Sequence, residues 1–71
     1  MPYVNIQVTQ EGVTAEQKRQ LIEGATALLE RVLNKPPSTT FVVIEEVSTD
    51  NWGVGGETVS AIRAREKLGK G

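Results

Sequence analysis

Residues 39–47 read TTFVVIEEV, a β-branched run in which Phe41, Val42, Val43 and Ile44 are consecutive. Such side chains fit a pleated, packed surface and are enriched in strands. A strand that is wet on one face alternates apolar and polar residues. An unbroken apolar run implies cover on both faces. The question is what supplies that cover.

Upstream, Lys35-Pro36-Pro37 cannot continue a helix. Before it, apolar residues fall at 21, 22, 25, 28, 29, 32 and 33, the spacing of an amphipathic helix. Thr14 and Gln17 form a T-x-x-Q capping box at its start. A helix is expected from Thr14 to near Asn34. Further upstream, residues 3–9 read YVNIQVT. Val4, Ile6 and Val8 share one face of this strand, and Tyr3, Asn5 and Gln7 the other.

Strand, helix, strand is a βαβ unit of an α+β protein, with a right-handed crossover and parallel strands. Parallel pairing places residues 39–41 close to Pro2. One helix covers one face of a two-stranded sheet. In a chain of 71 residues, the second cover for 41–44 is expected from another copy.

Downstream, residues 48–57 read STDNWGVGGE. They lack the spacing and the Lys-Ser/Thr of a phosphate loop, and no G-x-G-x-x-G is present. A turn or short hairpin carrying Trp52 toward a neighbour is expected. Residues 57–67, ETVSAIRAREK, fit a short helix or an extended arm, and both remain open. The basic end, RAREKLGKG at 63–71, reads as a solvated tail.

Composition bounds the chemistry. The chain makes one domain, residues 1–71, and one this small buries only about 60% of its unfolded surface. Small domains need staples. With no Cys and no His, disulfides and Cys/His zinc sites are excluded, and no metal site is expected. Self-association is the remaining staple. Eight Lys+Arg against nine Asp+Glu argue against a nucleic-acid partner. The first ten residues lack a signal-peptide pattern, and no apolar run approaches the roughly 18 residues of a membrane span. A cytoplasmic protein without a membrane partner is the expectation. Ser-His-Asp and Cys-His machinery cannot be built. What remains is carboxylates, Lys, Arg, Tyr and a terminal amine.

Pro2 has two readings. A proline at a strand start costs no ladder bond, because it has no N–H to donate. The sharper reading is that removal of Met1 leaves a free secondary amine there. A terminal amine has a pKa of about 7.7–8.0, and burial lowers it by disfavouring the charged form. A neutral amine near pH 7 is a competent base, and the ring fixes the direction of its lone pair.

The Met-Pro start, AEQKRQLIEG early in the helix, the proline turn, the strand ending in EEV and the loop NWGVGGE occur here in order. Together they resemble the 4-oxalocrotonate (2-hydroxymuconate) tautomerase family, over residues 2 to about 65. The resemblance implies a cofactor-free isomerase with Pro2 as general base. Its substrates are enol or dienol 2-oxo acids. It implies paired subunits whose sheets join into one of four strands, and three such pairs in a homohexamer, with a trimer or dimer as lesser forms. The aromatic residue of the family loop corresponds to Trp52, and an arginine near the C-terminus to Arg63.

Two family arginines are missing. Val13 stands where one holds the distal carboxylate of a dicarboxylate substrate. Phe41 stands where another reaches into a neighbour's site to polarise the 2-oxo group. The pocket therefore reads as apolar, with Pro2, Phe41, Trp52 and Tyr3, and with Asn51, Arg63 and Arg65 as candidates for a carboxylate or carbonyl. A monoacid with an apolar or aromatic tail fits this set better than a dicarboxylate. The alternatives are a hydratase, decarboxylase or dehalogenase on the same scaffold, or an oligomeric module without catalysis.

Overall fold

The computed structural model describes residues 1–69; Lys70 and Gly71, the end of the basic tail, lie outside the described residues. The order is β1 (Tyr3–Thr9), α1 (Ala15–Leu33), a 3-10 turn at Pro37–Thr39, and β2 (Phe41–Val47). A second 3-10 turn at Thr49–Asn51, the short strands β3 (Gly53–Val54) and β4 (Glu57–Thr58), and α2 (Val59–Gly69) follow. The βαβ unit and the C-terminal hairpin are as expected. The open question at 57–67 resolves as the short strand β4 at Glu57–Thr58 followed by a helix from Val59.

Local chemistry sets the ends of α1. The Gln17 N–H donates to the Thr14 hydroxyl at 3.1 Å, and the Thr14 N–H donates to the Gln17 carboxamide at 3.0 Å. This is the capping box, and it satisfies two otherwise orphaned donors. At the far end Asn34 turns left-handed, with φ 56°, and its N–H donates to the Glu30 carbonyl at 3.0 Å. Asparagine tolerates that conformation better than most residues.

Strands β1 and β2 pair in parallel, from Tyr3 opposite Phe41 to Thr9 opposite Val47. The ladder runs one residue further at each end. The Phe41 N–H donates to the Pro2 carbonyl at 3.0 Å, and the Gln10 N–H to the Val47 carbonyl at 2.8 Å. Helix α1 covers the face of Val4, Ile6, Val8, Val42 and Ile44, all half-buried. The ion pair from Lys18 of α1 to Glu46 of β2 marks that face.

The other face is open within the chain. Tyr3 is 63% exposed, Phe41 52% and Val43 40%. Only half of the two-sided cover expected for residues 41–44 comes from the chain itself, because its one sheet-packing helix lies on one side. Among the described residues, Val59 alone counts as a buried apolar residue, 5% exposed. The radius of gyration is 16.2 Å, against about 11 Å for a compact chain of this length. The isolated subunit has little core of its own. No helix among the described residues is long and apolar enough to cross a membrane.

Candidate active site

The sheet sorts the candidate residues into two groups. Pro2, Tyr3 and Phe41 sit at the strand starts, where Tyr3 faces Phe41 across the ladder and Pro2 is bonded to it. Asn51, Trp52, Arg63 and Arg65 all follow the end of β2. Seven residues of strand separate the two ends, about 23 Å. One chain does not bring Pro2 beside Trp52 or Arg63.

The strand-start group is apolar and open. The Tyr3 hydroxyl accepts from the Asn5 carboxamide at 3.2 Å, which donates also to Glu45 at 2.6 Å. Gln7 joins the same Glu45 carboxylate at 3.4 Å. Pro2 is half-buried, and its carbonyl is spent on β2, so the residue is held from its carboxyl side.

The strand-end group is held by α2. The Val59 N–H donates to the Trp52 carbonyl at 2.8 Å. The Ser60 hydroxyl meets that of Thr49 at 2.6 Å and donates to Asp50. These contacts fix the turn that presents half-buried Trp52. The hairpin after it closes through Gly55 and Gly56, with φ of 61° and 87°. Both values require residues that accept positive φ, as in the two-residue turns that match strand twist. Asn51 is exposed at the turn's end, its N–H bound to the Ser48 carbonyl at 2.8 Å.

Both arginine candidates are already paired. Arg63 Nε donates to Glu11 at 2.7 Å and its Nη1 to Glu66 at 3.0 Å. The hydrogen bond from Arg63, with a smaller contribution from Thr9, holds the Glu11 carboxyl below the usual carboxylate range. Glu11 in turn raises Arg63, with Glu66 adding to it. Arg65 binds Glu57, which is lowered as a result.

Two positions after Glu11 along the chain, Val13 lines a depression of about 420 Å³ together with Gln17, Gln20 and Leu21. Val13 thus stands on a concave, mainly apolar wall at the strand ends.

Glu11 and Ser60 were not singled out by sequence. Glu11 reads there only as part of a turn, and its partner is 52 positions away, so no local spacing could reveal it. For α2 a signal existed: the Ala61 N–H donates to the Thr58 hydroxyl at 3.1 Å, an N-terminal cap of the Thr14 kind.

Residues 2–62 match the model of the tautomerase enzyme family, nearly the whole described chain. The chain belongs to the tautomerase family. It is 62% identical over 63 residues to a probable tautomerase, K2, of Dickeya dadantii (strain 3937), covering 89% of this chain and 94% of that one. The crystal structure of DmpI from Helicobacter pylori superposes with a TM-score of 0.83 at 46% identity, covering 89% of this chain and 97% of the other. A heterohexamer 4-oxalocrotonate tautomerase from Chloroflexus aurantiacus J-10-fl gives a TM-score of 0.81 at 27% identity, covering 89% and 100%. The match begins at Pro2, so this tautomerase's strand start lies inside the region of likeness.

Proposed function

We propose that this tautomerase moves a proton on an enol or dienol 2-oxo acid, with the Pro2 nitrogen, freed by removal of Met1, as the base. The observation that carries the reading is the placement of Pro2. It heads β1 within the family match, bonded through its carbonyl to Phe41. The ladder bond mounts the residue on the sheet through its carbonyl, and the nitrogen makes no ladder bond. Apolar Phe41 beside it disfavours the charged amine and so lowers its pKa. The neutral nitrogen takes a proton from the enol hydroxyl or from a carbon beside the carbonyl. It returns that proton at another carbon, and the double bond shifts between them. No other bond breaks, and the step calls for no cofactor.

A second copy completes the site. Two sheets joined antiparallel, edge to edge, put the strand starts of one copy beside the strand ends of the other. Pro2, Tyr3 and Phe41 of one subunit then share a pocket with Trp52 and Val13 of another. The open face with Tyr3, Phe41 and Val43, and the scant core of the isolated chain, support burial between subunits. The heterohexameric Chloroflexus aurantiacus relative supports a count of six subunits, here copies of one chain. With Val13 and Phe41 in place of charged groups, the substrate is a monoacid with an apolar or aromatic tail.

The test is the mass of the mature chain together with turnover of enol phenylpyruvate by Pro2→Ala. The expected mass lacks Met1, and kcat/KM falls by about tenfold or more, as for loss of a general base. A retained Met1, or full activity in Pro2→Ala, would exclude Pro2 as the base.

A further inference from the structure

The strand-end region holds a feature that the proton transfer does not use. Arg63 lies at that end, yet its guanidinium is occupied by two carboxylates. Nε and Nη2 face the two oxygens of Glu11 at 2.7 and 3.5 Å, and Nη1 faces Glu66 at 3.0 Å. The Thr9 hydroxyl donates to Glu11, so the carboxylate is oriented from β1 as well. One cation against two anions leaves this cluster negative. Several nearby cations are paired as well: Lys18 with Glu46, Arg19 with Glu16 and Glu23, Arg65 with Glu57. Next to this cluster along the chain lies the depression lined by Val13, Gln17, Gln20 and Leu21.

We propose that Glu11 sets tail specificity: it keeps Arg63 from any substrate carboxylate and leaves the slot beside Val13 and Leu21 to an uncharged, apolar tail. The inference rests on the proposed function, in which this slot faces Pro2 of a second copy. A carboxylate entering the slot must either displace Glu11 from Arg63 or sit beside two carboxylates. Both routes cost free energy, because a charge-assisted contact is lost or like charges approach. An apolar tail meets neither cost and covers Val13 and Leu21. Glu11 is therefore a specificity-determining residue that acts through Arg63, with no contact to the reacting atoms.

The experiment uses the assembled protein and the variants Glu11→Gln, Glu11→Asp and Glu11→Gln with Arg63→Ala. It reads the ratio of kcat/KM for 2-hydroxymuconate to that for enol phenylpyruvate. Calorimetry reads the affinity for muconate, a dicarboxylate that does not react. In Glu11→Gln the ratio and the muconate affinity are expected to rise by about tenfold, the scale of one recovered charge-assisted bond. Glu11→Asp keeps the charge and should follow the wild type, and Arg63→Ala should remove the gain. Unchanged ratio and affinity in Glu11→Gln, or a gain that survives Arg63→Ala, overturns the proposal. Muconate binding does not depend on a base. Full turnover by Pro2→Ala alongside an intact muconate response would therefore remove the base and leave the role of Glu11 standing.

Discussion

Pro2 and Phe41 are joined by a backbone hydrogen bond of 3.0 Å, from the Phe41 N–H to the Pro2 carbonyl. The parallel register also sets the Phe41 side chain across the ladder from Tyr3, on the open face. The residue beside the proposed base is thus an aromatic one, at the position where the sequence resemblance implied a cation. Phe41→Arg should shift preference toward 2-hydroxymuconate over enol phenylpyruvate. One charge-assisted bond of roughly 1.5–3 kcal/mol corresponds to about tenfold or more in the ratio of kcat/KM. An unmoved ratio would mean that position 41 does not face the substrate.

The open face yields a prediction about assembly. Val43 is 40% exposed and sits among Tyr3, Phe41 and Glu45 rather than under α1. Val43→Lys should dissociate the oligomer, since each buried copy loses about 2 kcal/mol of apolar burial and gains a desolvated charge. Sedimentation should show smaller species and a lower melting temperature. An unaltered sedimentation coefficient would show that this face stays wet.

The capping box gives a stability prediction independent of function. Thr14→Ala removes the acceptor for the Gln17 N–H and the frame for its reciprocal bond. The expected loss is about 1 kcal/mol, measured by denaturant midpoint at constant slope. Thr14→Ser retains the hydroxyl and should lose much less.

Acid should loosen the contact between α2 and the turn after β1. Glu11 is held below its ordinary value by Arg63. A depressed carboxylate contributes stability that is present above the unfolded value, about 4.3 for glutamate, and is lost as pH falls through the lower folded value. The pair is exposed, so solvent screens it and the effect on global stability is small. The check is local: the Arg63 Nε–H resonance should weaken as pH falls through a midpoint below about 4.3. Glu11→Gln should abolish that dependence.

Much of this fold was written in short-range spacing. Thr14 and Gln17 lie three positions apart, Asn34 is followed by Lys35-Pro36-Pro37, and residues 3–9 alternate. Each of these acts within a turn or a strand, so the residues alone determine the helix ends and the strand faces. The parallel pairing of Pro2 with Phe41 followed from topology, because a crossover helix returns the chain to the start of its first strand. Nothing local determined that α2 docks on the Thr49–Asn51 turn through Ser60, or that Arg63 closes on Glu11 across 52 positions. Such contacts depend on where whole elements come to rest, and the positions of two charges along a chain do not encode their meeting. The tertiary structure also separated what the motifs had gathered into one list. Pro2, Tyr3 and Phe41 stand at one end of the strands, and Trp52 and Arg63 lie beyond the other. The sequence determined which residues this tautomerase has for chemistry. The length of a seven-residue strand decided that one subunit cannot bring them together.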